Sequence, residues 1–154
     1  MYIKETTLLL ENGHPYLEYT DTDLYVHEDT QFNDSDKIFE IARGIRLDQL
    51  GQERVYAFWL DSANHLLAMT MISQGTVNRS LMAEREMCQI ALLTGAVGAI
   101  LVHNHPSGDP EPSDIDIQVT KKVKDALNMV GVILIDHLVI GHNVYESIHR
   151  MGCM

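Results

Sequence analysis

An α/β domain, a mixed β-sheet flanked by helices, is the fold class that this sequence predicts. Three observations carry that reading. Short apolar runs rich in aliphatic, aromatic and β-branched residues recur at 55–60, 65–72, 96–102, 132–140 and 144–148. Stretches with helical spacing of apolar residues separate them, near 35–42, 83–93 and 113–129. Gly95 and Gly131 stand where two of those helices should stop, as left-handed end residues. Strands interleaved with helices in this order give a sheet with helices packed on it.

Each element has its local reason. Residues 1–33 form an N-terminal appendage ahead of a domain at 34–154. Within the appendage an apolar run at 7–10 and a second short run at 16–19 flank Glu11-Asn12-Gly13, and Asn-Gly favours a tight hairpin. The acidic stretch 21–36 reads as a linker or peripheral loop. Asp34 or Ser35 can cap the first helix, with Ile38, Phe39, Ile41 and Ala42 turned inward. Residues 55–60 make a strand, 61–64 a turn and 65–72 its hairpin partner. Residues 75–80 form a loop before the helix at 83–93. The strand at 96–102 leads through a Pro- and Gly-rich loop into the last helix, which carries Val119, Val123, Ala126, Leu127 and Val130 on one stripe. A final hairpin joins 132–140 to 144–148 through Gly141-His142-Asn143.

Composition bounds the function. A chain of 154 residues can bury a real core, and 45% apolar with 21% charged residues matches a soluble globular protein. No run approaches the roughly 18 apolar residues of a membrane span, and the first residues lack the shape of a signal peptide. Cys88 and Cys153 form no metal-type pair and no disulfide framework, so the cytoplasm is the expected location. The net charge of −11 argues against strong nucleic-acid binding, which needs clustered Lys and Arg. Lys121, Lys122 and Lys124 are the one dense basic cluster, and helical spacing spreads them around a solvated face.

The segment 103–116, His-Asn-His-Pro-Ser-Gly-Asp-Pro-Glu-Pro-Ser-Asp-Ile-Asp, holds most of the chemistry. His103 and His105 leave a buried strand one residue apart, so period-two alternation puts both imidazoles on one side. Asp116, arriving from the next helix, can add a hard oxygen ligand. Two nitrogens and one carboxylate oxygen leave one position of a tetrahedral zinc open, the ligand set of a catalytic site. The competing structural reading is a capping box, in which Ser113 caps the helix and Asp116 stands at its third position. It accounts for Asp116 but not for two histidines where a buried strand ends.

His103-x-His105, seven residues, then Ser113-x-x-Asp116 resembles the signature of the JAMM (MPN-domain) metallopeptidases, and the fuller string is close to their bacterial RadC-like branch. Gly75-Thr76-Val77-Asn78, Arg85-Glu86 and Asp136-His137-Leu138-Val139-Ile140, with Tyr145 and Ser147, look like the same branch. The resemblance spans about residues 34–148. Full-length RadC-like proteins usually carry a helix-hairpin-helix region first. Residues 1–33 have neither its length nor its glycine hairpins, which weakens transfer of a DNA-related role.

The resemblance implies a mixed sheet between helices, layered as in cytidine deaminases, one Zn2+ per chain, and hydrolysis of peptide or isopeptide bonds in a protein or peptide substrate. It makes His103, His105 and Asp116 the metal ligands. Glu53, eight residues before Asp61, becomes the general base outside the ligand set, and Ser113 the donor to the oxyanion. The chemistry needs these types: zinc acidifies a water, a carboxylate shuttles its proton, and a hydroxyl stabilises developing charge. Glu86 is the rival base, but its place in the first turn of a helix beside Arg85 explains it structurally. Asp136-His137 interrupts an apolar run and reads as a hydrogen-bonded pair near the sheet end, with support of a metal ligand as the alternative. His14, His27, His65, His142 and His149 carry no specific role.

Two other function classes compete. A DNA-repair-associated nucleic-acid-processing protein is suggested by the family label, but His103-Asn104-His105 only mimics the name of a nuclease motif that is spread over a ββα unit. A base deaminase would need His-x-Glu and Pro-Cys-x-x-Cys, which are missing. A catalytically silent binding module would be expected to lack a ligand, and every ligand position is kept.

Overall fold

A computed structural model of the chain describes residues 1–75 and 84–154. The loop expected at 75–80, apart from Gly75, and the first residue of the helix expected from 83 lie outside the described residues. The strands are β1 (Tyr2–Glu11), β2 (His14–Tyr25), β3 (Arg54–Leu60), β4 (Leu66–Gln74), β5 (Gly98–Asn104), β6 (Ile133–Ile140) and β7 (Tyr145–Ser147). The helices are α1 (Ser35–Gly44), α2 (Glu84–Thr94) and α3 (Asp114–Met129). One sheet runs in the order β2-β1-β4-β3-β5-β6-β7. Its β1–β4 and β5–β6 pairs are parallel and the rest antiparallel, so the expected mixed sheet with helices is the fold found.

The turn chemistry works where it was expected. Asn12 and Gly13 both have positive φ (51° and 79°), as a two-residue turn matched to strand twist requires. Asp34 caps α1 by accepting from the Asp36 N–H, and Ile38, Phe39, Ile41 and Ala42 are its buried face. Asp61 accepts from the N–H groups of Ala63 and His65 to close the β3–β4 turn.

Two local expectations need correction. The runs at 7–10 and 16–19 grow into strands of 10 and 12 residues, and Asp21–Tyr25 belongs to β2 rather than to a linker. Pairing is the reason. β1 lies beside β4, with Glu5 opposite Met69, so the hairpin extends the main sheet, and Ile3 and Thr6 become buried. The motif strand, expected at 96–102, instead ends at Asn104. His103 is therefore a strand residue, paired with Val55 on β3 and Val139 on β6.

The sheet separates two cores. Phe58, Ile100, Val102, Leu138 and Ile140 pack with α1 on one face. Val55, Ala57, Trp59, Ala99 and Leu101 pack on the other with Met87, Ile90 and Ala91 of α2 and with Val119, Val123 and Leu127 of α3. Alternation then places His103, two residues beyond Leu101, on the α3 face and Asn104 on the α1 face. A register irregularity between Ala99 and Ile100 shifts β6 by one residue, so that His137 lies opposite Leu101. His137 thus joins His103 on the α3 face. Among the described residues no helix is long and apolar enough to cross a membrane.

Candidate metal centre

β5 delivers the histidines and the start of α3 delivers the carboxylate. His103 is completely buried at 0% exposure, Asp116 is buried at 3%, and His105 is half-buried just past the strand. The two Nε2 atoms lie 3.0 Å apart. His103 Nε2 is 3.4 Å from Asp116 Oδ1, and His105 Nε2 is 3.3 Å from Oδ2. All the potential ligand atoms fall within 4.8 Å of one another. Two ligands about 2.0–2.1 Å from one tetrahedral ion lie roughly 3.3 Å apart, so these separations match the edges of such a site.

Every candidate ligand is also held by a second partner. His103 Nδ1 contacts His137 Nε2 at 2.8 Å, and His137 Nδ1 contacts Thr120 Oγ1 at 2.6 Å. His105 Nδ1 donates to the Asp109 carbonyl at 2.8 Å, which leaves Nε2 with a lone pair when the ring is neutral. Asp116 Oδ2 accepts from the Ser113 N–H at 2.8 Å, and the Ser113 hydroxyl accepts from the Asp116 N–H at 3.1 Å. The capping box and the ligand arrangement therefore coexist, and the cap orients the carboxylate. The three facing atoms are bases that must share a positive charge. That donor set fits a divalent cation.

The electrostatics agree. Burial pushes the Asp116 carboxyl up, but the His103 and His105 imidazoles beside it outweigh that and hold it far below the usual carboxylate range. The hydrogen bond that His105 donates to Asp116 raises the imidazole above its ordinary value, against the effect of burial. The Asp109 carbonyl and the Asp116 and Glu53 charges add to the rise. Burial, with the neighbouring His103, holds His137 well below the ordinary value, so it is neutral. Without a metal, the centre draws a proton to His105.

The loop from His105 to Pro112 is fastened to the end of β6. His105 N–H donates to the Ile140 carbonyl at 2.8 Å, and His142 N–H donates to the Gly108 carbonyl at 2.9 Å. A Cβ at Gly141 would meet the Gly108 carbonyl oxygen at 2.3 Å and Pro110 N at 2.9 Å, so only glycine fits there.

Glu53 immediately precedes β3 and is half-buried. Continuing the Val55–His103 pairing by two residues on each strand brings Glu53 opposite His105 on the α3 face. Buried Asn104 holds the segment on both sides of Glu53. Its Oδ1 accepts from Arg54 N–H at 2.8 Å, and its Nδ2 donates to the carbonyls of Leu50 and Gln52 at 3.4 and 3.1 Å. Ser113 is exposed at the start of α3. Glu86, by contrast, is exposed on α2 and lines a cavity of about 380 Å3 with Glu5, Thr6 and Thr70, on the far side of β3 from the histidines.

Sequence reasoning missed Thr120 and Gly141. A hydroxyl four residues after Asp116, beside the core residue Val119, was the available signal for Thr120. Gly141 announced itself only as a turn residue, because the loop it touches is distant in sequence.

Fold and site together define an α/β domain with a buried His-His-Asp group suited to a metal ion. Residues 32–153 match the RadC-like JAB domain, and the chain belongs to that family. It is 42% identical over 106 residues to a UPF0758 protein of Desulforamulus reducens, covering 69% of this chain and 47% of that protein. A UPF0758 protein of Finegoldia magna is 39% identical over 118 residues, 77% of this chain and 52% of its own length. One from Methanosarcina acetivorans is 37% identical over 107 residues, 70% of this chain and 47% of its own. The chain spans about half the length of these relatives.

Proposed function

We propose that this chain is a zinc-dependent hydrolase of peptide or isopeptide bonds in a protein or peptide substrate. The observation that carries the reading is the convergence of His103 Nε2, His105 Nε2 and an Asp116 oxygen at 3.0–3.4 Å, each with its far side committed. His103, His105 and Asp116 would hold the ion, which when bound supplies a Lewis acid and brings the pKa of a water to about 7. Glu53 is the base in this reading: its carboxylate takes a proton from the attacking water and returns it to the leaving nitrogen. Ser113 accepts from the helix backbone, so its own hydroxyl hydrogen remains to donate to a carbonyl oxygen as negative charge builds there. Asn104 keeps the Glu53 segment against the histidine strand.

The net charge of −11 and the absence of a basic stripe favour a polypeptide over a nucleic-acid substrate. A catalytically silent module is disfavoured by the intact ligand set. The test is a metal assay followed by a screen of peptide and isopeptide substrates. We expect close to one zinc per chain, lost in each of His103→Ala, His105→Ala and Asp116→Ala with the fold retained, and amide hydrolysis that follows the zinc. Stoichiometric zinc retained by those variants would overturn the assignment.

A further inference from the structure

His103 is the one ligand whose far nitrogen meets another imidazole rather than a carbonyl, so its protonation pattern is not set locally. The chain of contacts beyond it sets it. Thr120 Oγ1 lies 2.6 Å from the Asp116 carbonyl oxygen and 2.6 Å from His137 Nδ1. A carbonyl oxygen only accepts, so the single hydroxyl hydrogen goes to it, the usual bond of a helical threonine to the residue four before. The Thr120 oxygen must then accept, and His137 Nδ1 carries the hydrogen. A neutral imidazole has one N–H, so His137 Nε2 is an acceptor, and at 2.8 Å it accepts from His103 Nδ1–H. His103 Nε2 is left with its lone pair toward His105 and Asp116.

We infer that Thr120 and His137 are positioning residues that lock His103 in its metal-accepting tautomer through a directed relay ending on the main-chain carbonyl of Asp116. Asp116 thus acts at both ends of a ring, with its carboxylate at the metal position and its carbonyl holding the tautomer of the ligand opposite. All members of the relay, His103, His137, Thr120 and Asp116, are buried, so no water competes for these bonds. The ring also ties the first turns of α3 to β5 and β6, since any slide of the helix breaks the Thr120–His137 contact. The reading rests on the metal-site proposal above and extends it to side chains that touch no metal.

The test uses the full chain with two substitutions at one position. Thr120→Ser keeps the hydroxyl and Thr120→Val keeps the shape without it. Cobalt(II) titrations followed by visible absorption, and zinc competition against a chelator, read the affinity. Thr120→Val is expected to weaken both metals about 10–100-fold, the scale of losing an outer partner of a ligand, while Thr120→Ser stays close to wild type. Long-range 1H–15N correlation of the metal-free chain reads the ring protonation directly. His103 should carry its hydrogen on Nδ1 in wild type and Thr120→Ser, and shift toward Nε2 in Thr120→Val. A packing defect alone would not move that hydrogen. Wild-type affinity together with an unchanged tautomer in Thr120→Val overturns the relay. A wild-type chain that takes up no cobalt overturns the metal reading, whereas the tautomer measurement needs no metal and still decides the relay. Should Thr120→Val not fold, His137→Gln, which keeps an acceptor for His103, should bind cobalt more tightly than His137→Leu, and equal affinities overturn the relay.

Discussion

Zinc binding to this chain should expel a measurable proton near neutral pH, and the structure sets a lower bound on it. In the metal-free protein the hydrogen bond to Asp116 raises the His105 imidazole above its ordinary value of 6.5. At pH 6.5 more than about half a proton therefore sits on His105, on the ring whose Nε2 faces the metal position. Zinc requires that nitrogen unprotonated, so binding at pH 6.5 should release more than about 0.5 proton, falling toward zero well above the raised value. Affinity should rise with pH across the same window by up to about tenfold per unit, or about 1.4 kcal/mol. The metal-free stability runs the other way. The His105 contribution is fully present below the unfolded value of about 6.5 and is lost as pH rises through the folded one. The Asp116 contribution is present above about 3.9 and is lost as pH falls through its depressed folded value. Buried His137 works the other way below about 6.5, where the unfolded imidazole takes a proton that the folded ring refuses. The metal-free chain should accordingly be most stable near about pH 6.5, and its melting curve should separate from that of the zinc form as pH rises. Calorimetric titration in two buffers of different ionisation enthalpy counts the protons, and thermal melts with and without chelator read the stabilities. Release of less than half a proton at pH 6.5, or a metal-free chain that gains stability between pH 6.5 and 8.5, would refute the reasoning.

Three further outcomes are expected. Glu53→Gln should keep the zinc and the fold but lower hydrolysis by about 10²–10⁴-fold, whereas Glu86→Gln should affect stability more than turnover. A wild-type rate in Glu53→Gln on a verified substrate would move the base elsewhere. Gly141→Ala should cost about 1–3 kcal/mol and weaken zinc, because the new Cβ meets the backbone of the loop that holds His105. A melt and a metal titration indistinguishable from wild type would show that the loop is not pinned there. The chain should bind duplex DNA only weakly at physiological salt, and a submicromolar titration with a steep salt slope would contradict the charge argument.

The local parts of this protein were legible in the amino-acid order because their causes are local. Asn12-Gly13 dictates a tight turn, Asp34 caps a helix whose inward face repeats with helical spacing, and Gly95 and Gly131 adopt the positive φ that ends helices. The spacing of His103, His105, Ser113 and Asp116 was likewise readable, since a strand end and a helix start fix where those side chains emerge. The extents of the N-terminal strands and the partners distant in sequence were not. The full lengths of β1 and β2 depend on pairing with β4, which no local pattern encodes. The burial of Asn104 and its hold on the segment around Glu53 needed the β3–β5 register. That His137 faces His103, and not the α1 side, depends on a one-residue irregularity between β5 and β6, which reverses the faces of everything after it. Residue types and spacings determined which candidate ligands exist. The tertiary structure decided what stands behind them, because hydrogen-bond partners 17 and 34 residues apart meet only after the sheet has formed.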